Sequence, residues 1–180
     1  QGFTHIPFDH LYARQVIFEK LREFGLSSEA TMILAPDAGR APMAQSFAKH
    51  LCVGFGLVDK RRTAPNQAEV AHLIGDLKAK EVIIIDDMID TAGTTINAAN
   101  AAMENGASSI VAVATHGLFS GNAAQRITAS AISKVIVTDT VDRNEKSRFD
   151  KLEEISVSRL FAKAIECIHN GESVSALFEF

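Results

Sequence analysis

Tryptophan is absent from these 180 residues, tyrosine occurs once and cysteine only twice, at Cys52 and Cys167. The two cysteines match no metal-ligand spacing and fall far below the density of a disulfide scaffold, so both are expected as reduced thiols of a cytosolic protein. Eleven glycines and four prolines are too few for a linker-like or collagen-like chain. No window of about 18 apolar residues exists, and the least charged stretch, 92–125, is too rich in Asn, Thr, Ser and Gly to span a bilayer. Positive charge is not in excess: 18 Lys and Arg against 22 Asp and Glu leave a net charge of −4. A general nucleic-acid binder needs a basic surface, so that class is excluded and any phosphate chemistry must be local. Internal repeats, low-complexity tracts and interdomain linkers are also missing. The opening Gln1-Gly2-Phe3 has neither Met nor a basic stretch, so no signal peptide is expected, and the chain need not begin where its gene begins.

What is present is 47% hydrophobic residues over a length suited to one domain with one real core. Helical spacing of Leu11, Val16, Ile17, Leu21 and Phe24, stopped by Gly25, predicts a first helix. Met32 to Ala35 reads as a strand, Pro36-Asp37-Ala38-Gly39 as a turn, and Ala41 to Leu51 as a helix. Val53 to Val58 reads as a strand, Asp59 to Gln67 as a polar loop and Glu69 to Leu77 as a strand. The apolar run Val82 to Ile85 is a buried strand ending at Asp86-Asp87. A helix over Thr94 to Asn105 closed by Gly106 follows, then a strand (Ile110 to Ala114), a short helix (Asn122 to Ala129), a strand (Val135 to Val137) and a last helix (Ser158 to His169). Continuous apolar strands alternating with helices predict an α/β fold: a mostly parallel twisted sheet with helices on both faces. Ligands of such folds bind beyond the carboxyl ends of the strands, which directs attention to the segments that follow them.

The segment Asp86-Asp87-Met88-Ile89-Asp90-Thr91-Ala92-Gly93-Thr94-Thr95 crowds three carboxylates and three hydroxyls into one turn. Gly93 permits close backbone approach, and amides at a helix N-terminus cradle a phosphate, aided by the threonine hydroxyls and the helix dipole. Asp86 and Asp87 suit vicinal sugar hydroxyls or a divalent cation. A phosphorylated sugar satisfies both halves. There is no G-x-x-x-x-G-K-[ST], and the acids precede the phosphate loop, unlike a dinucleotide site. Lys60 and Arg62, two apart after a strand, are the candidates to neutralise charge that develops as a phosphoryl group moves. His116, after a buried strand, is read as a structural hydrogen-bonder before a catalytic base.

The Asp86 to Thr95 block and its strand resemble the ribose-phosphate signature shared by type I phosphoribosyltransferases and phosphoribosyl pyrophosphate (PRPP) synthetases. Resemblance to the synthetases runs along the whole chain: Pro7 to Ala13, Pro36-Asp37-Ala38-Gly39, Lys60-Arg61-Arg62, Asp86 to Thr95, Thr115 to Gly121, and His169 to Ser175. It implies ATP-dependent diphosphoryl transfer to the anomeric hydroxyl of ribose 5-phosphate, giving PRPP and AMP. It further implies Asp86 on the ribose hydroxyls, Asp90, Thr91, Ala92, Gly93 and Thr94 on the 5-phosphate, and Asp37 on Mg²⁺, with Asp87 beside the site. Lys60 and Arg62 would stabilise the transferring group, Arg62 also touching the sugar phosphate. Ser173, Val174 and Ser175 match a segment that helps form a regulatory phosphate and ADP pocket between subunits, and the resemblance suggests a cytoplasmic homo-oligomer.

Two features depart from the pattern. The 180 residues correspond to the second half of such synthetases plus a short lead-in, as one phosphoribosyltransferase-like domain. The first half supplies a metal-binding histidine and an adenine-contacting loop, so the nucleotide site is expected to be incomplete here and the chain alone to be inactive. Arg40 stands where the synthetases usually have a small residue. The alternatives are a type I phosphoribosyltransferase, which needs a base-binding hood not found in the sequence, and a non-catalytic regulatory homologue, expected to alter the ribose-phosphate loop or the Lys60/Arg62 pair.

Overall fold

Strands buried on both faces dictate the architecture. In the computed structural model, which describes residues 3–61, 70–142 and 148–177, alternate residues of β4 (Glu81–Ile89) serve different cores. Val82 and Ile84 point into one apolar cluster, Ile83 and Ile85 into the other. This period of two places a helix layer on each face of the sheet. One layer is α1 (Arg14–Arg22) and α2 (Ala41–Leu51), packing Ile17, Phe18, Leu21, Phe47 and Ala48. The opposite layer is α3 (Gly93–Glu104) and α4 (Ala123–Thr128). Here Ala98, Ala99, Ala102 and Ile127 meet the sheet. The alanine face lets α3 lie close to the strands beneath it.

The seven strands run in the order β3-β2-β1-β4-β5-β6-β7. The remaining ones are β1 (Thr31–Ala35), β2 (Gly54–Arg61), β3 (Val70–Ile74), β5 (Ser109–Gly117), β6 (Lys134–Thr138) and β7 (Leu152–Ile155). All neighbours are parallel except the antiparallel pair β2/β3. The last helix, α5 (Ser158–His169), buries Leu160 and Ala164 and is followed by a 3-10 turn, Val174–Leu177. The α/β expectation holds, with one antiparallel edge.

Three local differences separate sequence and structure. Asp59 to Arg61, read as the start of a polar loop, belong to β2: Asp59 pairs with His72, Lys60 with Ala71 and Arg61 with Val70. Cross-strand pairing satisfies backbone groups whatever the side chains carry, so a charge run on an edge hairpin does not end the strand. Asp86 and Asp87, read as a strand end, lie inside β4, because β5 extends alongside to pair Met88 with His116 and Ile89 with Gly117. Strand β7 was not expected from its polar Glu153-Glu154 pattern. It is the sheet edge, and Glu153 binds Lys20 of α1 at 2.7 Å and Lys134 of β6 at 2.9 Å.

Strand order positions the site. After β1 the chain crosses to α2 on one face and then to β2, whereas after β4 it crosses to α3 on the other face and then to β5. The segments leaving β1 and β4 therefore diverge between two neighbouring strands. Such a switch point opens a crevice at the carboxyl edge of the sheet.

Candidate functional site

Strand β1 pairs with β4 only as far as Leu34 opposite Ile84, while β4 continues beside β5 to Ile89. The notch beside this extension is an open cavity of about 280 Å³, lined by Asp37, Arg40 and residues 86–95. It gathers every sugar-, phosphate- and metal-binding candidate named from sequence except Arg62. Asp37, Asp86, Asp90, Thr91, Ala92, Gly93 and Thr94 all line it. A larger cavity of about 560 Å³ opens beyond β6 and β7, lined by Asp139, Asp142, Arg148 and Glu154 among others. It contains none of these candidates.

The turn from β4 to α3 directs its carbonyls and amides apart. The Ile89 carbonyl accepts from the amides of Leu118 (2.9 Å) and Phe119 (3.2 Å), and that of Asp90 from Ser120 (3.1 Å). The Thr91 carbonyl accepts from Arg126 Nη1 of α4 at 2.8 Å. Consecutive carbonyls are thus held against the β5–α4 segment. Helix α3 is preceded by Ala92, which provides no side-chain cap, and has no acid in its first turn. Among the described residues the amides of Gly93, Thr94 and Thr95 have no hydrogen-bond partner, the first amide bond into the helix being Ile96 to the Ala92 carbonyl at 3.0 Å. Three free amides at the positive end of a helix dipole form an anion cradle.

Ala92 itself sits at φ 61°, ψ 9°, buried, in the left-handed region that L residues rarely occupy. A residue held there by its surroundings is a recurrent mark of functional loops. Gly93 has ordinary backbone geometry. A Cβ there would meet no atom of the chain closer than 3.9 Å, so no internal packing requires glycine, and the space above it is open to a ligand.

The acidic side is organised by Arg40. The Asp87 amide donates to Asp86 Oδ1 (2.8 Å), Arg40 Nη1 donates to Asp87 Oδ2 (2.7 Å), and Arg40 Nε lies 3.6 Å from Asp86 Oδ1. Asp37 Oδ1 accepts the backbone N–H of Arg40 at 3.0 Å and so caps the 3-10 turn that leads into α2. Burial first, then the adjoining Asp87 carboxyl, push the Asp86 carboxyl from its usual 3.8 up to about 7; the Asp87 amide and the Arg40 charge oppose that rise. A group poised near neutrality beside a cradle for anions is a functional-site feature.

The donor chemistry suits a hard divalent cation. Asp37, Asp86 and Asp87 offer carboxylate oxygens, yet among the described residues no group of three His, Cys, Asp or Glu side chains is placed to hold a metal alone. One or two carboxylates with substrate and water oxygens is the usual way Mg²⁺ is held.

Other sequence candidates lie elsewhere. Lys60 stands by its backbone on β2, and Arg62 lies outside the described residues. His116 Nδ1 is 2.8 Å from Thr140 Oγ1, a link between the ends of β5 and β6. Ser173 Oγ donates to Ser175 Oγ (2.8 Å) beside Val174, at the surface turn after α5 and away from the notch. Cys52 and Cys167 are free. No described helix is long and apolar enough to cross a membrane. Sequence reading missed Arg126, whose only signal was a basic residue on a short helix near the Thr115 to Gly121 segment, and the Arg40 contact with both carboxylates.

Residues 62–179 match the family described as phosphoribosyl synthetase-associated domain. The chain is 46% identical, over 99% of its length, to a ribose-phosphate pyrophosphokinase of Aquifex aeolicus, and 45% identical to one of Chlorobaculum tepidum. It covers 57% and 55% of those proteins, so it spans about half the length of the curated relatives it matches. The crystal structure of a phosphoribosylpyrophosphate synthetase from Mycobacterium smegmatis superposes with a TM-score of 0.85 at 33% identity, over 95% of this chain and 55% of that one. An orotate phosphoribosyltransferase from Aeropyrum pernix shares the fold at 16% identity and a TM-score of 0.54, over 84% of this chain and 76% of that one.

Proposed function

The chain belongs to the phosphoribosyl synthetase-associated domain family, and from that premise we propose that it is the sugar-phosphate half of an ATP-dependent ribose-phosphate diphosphokinase. The observation that carries this reading is the pairing, in one notch, of three unpartnered helix amides with the Asp86–Asp87 carboxylates. Free amides suit a terminal phosphate and carboxylates suit vicinal hydroxyls; ribose 5-phosphate presents both at opposite ends of a small ring.

In this reading the amides of Gly93 to Thr95 and the hydroxyls of Thr91 and Thr94 hold the 5-phosphate. Asp86 accepts from the ribose hydroxyls and fixes the anomeric carbon toward Asp37. The anomeric oxygen then attacks the β-phosphorus of ATP, forming the new O–P bond as the bond to the α-phosphate oxygen breaks. AMP leaves, and the hydroxyl proton passes to solvent. Mg²⁺, held through Asp37 with substrate oxygens, supplies charge neutralisation on the diphosphate. Lys60 and Arg62 complete that neutralisation. The adenine contacts come from a preceding domain, and the complete enzyme is a cytoplasmic homo-oligomer in which Ser173 to Ser175 contribute to a regulatory phosphate pocket.

Phosphorus NMR tests this with MgATP and ribose 5-phosphate, using the 180-residue chain alone and fused behind the N-terminal half of the Aquifex aeolicus relative. The chain alone is expected to bind ribose 5-phosphate without turnover, and the fusion to yield PRPP and AMP together. PRPP from the isolated chain refutes the half-site assignment. A soluble, folded fusion that makes no PRPP, with no sugar-phosphate binding by the chain, refutes the reading as a whole.

A further inference from the structure

Arg40 is a cation built into the acidic half of the notch, and nothing in the proposed reaction assigns it a part. Its backbone N–H is tied to Asp37 and its guanidinium to Asp87, with Asp86 3.6 Å away, so one residue links the segment leaving β1 to the one leaving β4. Four carboxylates line the cavity, those of Asp37, Asp86, Asp87 and Asp90, and Arg40 is the single cationic side chain among its described lining residues. A sugar phosphate brings further negative charge into that space. Something must neutralise Asp86 and Asp87 while leaving oxygen lone pairs for hydroxyls, and a guanidinium does this from one side because it donates in a flat fork and never loses its proton.

We propose that Arg40 supplies the positive charge a divalent cation would otherwise have to bring to Asp86 and Asp87, so that ribose 5-phosphate binds this site without added metal. This rests on the sugar-phosphate reading and deepens it: the metal requirement is moved from sugar binding to the nucleotide side of the reaction. It also sets Arg40 and a divalent cation in competition for the same two carboxylates.

Calorimetry of ribose 5-phosphate binding, in EDTA and in saturating Mg²⁺, compares the unmodified chain with Arg40→Met and Arg40→Lys. The unmodified chain is expected to bind with nearly the same affinity in both buffers. Arg40→Met is expected to lose at least about tenfold in EDTA, the scale of a charged hydrogen bond, and to regain most of it with Mg²⁺. Arg40→Lys, which keeps the charge, is expected to hold most of the EDTA affinity. Equal affinity of Arg40→Met and the unmodified chain in EDTA overturns the proposal, as does a Mg²⁺ requirement in the unmodified chain or a Lys variant as weak as Met. If the unmodified chain binds no ribose 5-phosphate in either buffer, the sugar-phosphate reading falls separately. Mn²⁺ binding followed by paramagnetic resonance then decides on Arg40: tighter Mn²⁺ in Arg40→Met supports the competition, and unchanged affinity ends it.

Discussion

Two helical segments start at the switch point, one on each side of the notch, and they start in opposite ways. The turn after β1 is capped from within, its Arg40 amide satisfied by Asp37. The helix after β4 opens on Ala92 with no cap, and its first three amides are unpartnered. A capping carboxylate is worth about 1 kcal/mol to a helix, so omitting one from α3 while placing one at Asp37 is a choice with a cost. The comparison teaches that an anion site can be recognised by stabilisation withheld: α3 lacks the acid that would both cap it and repel a phosphate.

Making α3 resemble its neighbour is the strongest way to break this contrast. Gly93→Asp has room for its Cβ and puts a carboxylate in the cradle. Ribose 5-phosphate affinity is expected to fall by at least about a hundredfold by calorimetry, while the fold holds or gains slightly, since an acid at a helix N-terminus is worth about 0.3–1 kcal/mol. Unchanged affinity would mean the amides are not the phosphate site.

Asp86→Asn sharpens the other side of the contrast and separates binding from stability. Losing charged hydrogen bonds to the sugar should weaken binding about ten- to a hundredfold. Stability should move the other way. The folded pKa of Asp86, about 7, lies above its ordinary 3.8, so the folded chain holds this proton more tightly than the unfolded one. Stability from this group is intact below pH 4, declines as pH rises from 4 to 7, and stays reduced above 7. Urea denaturation should therefore show the asparagine variant gaining on the unmodified chain across that window, and parallel curves would contradict the raised pKa. Asp37→Ala carries the smallest effect: loss of about 1 kcal/mol in the same denaturation experiment, as for other caps, with the uncapped start of α3 unaffected.

Much of this contrast was legible in the sequence because its carriers are local. The strand-to-helix passage from Val82 to Thr95 announces itself through an apolar run followed by acids, hydroxyls and a glycine. The alternation of strands and helices likewise implied the parallel sheet. Contacts between distant positions left no such trace: Arg40 meets Asp87 across 47 residues, and Arg126 reaches the Thr91 carbonyl across 35. Strand β7 was hidden because an edge strand has less apolar area to bury and can carry an exposed Glu154 and a half-buried Glu153 paired with two lysines. Asp59 to Arg61 were misplaced for a related reason, since pairing with β3 and not side-chain polarity determines where β2 ends.

The continuation of β4 past its neighbour β1 has a consequence for how the site can change. Asp86 and Asp87 are spaced by the pleat of a strand laddered to β5, so their positions are inherited from the registry of the whole sheet. Variation there is paid in stability of the scaffold. The amides of Gly93 to Thr95 answer only to a short turn and its braces. The half of the notch that carries the Asp86 and Asp87 carboxylates is therefore conservative by construction, and the half that carries the unpartnered amides is the part a lineage, or a protein engineer, is free to retune.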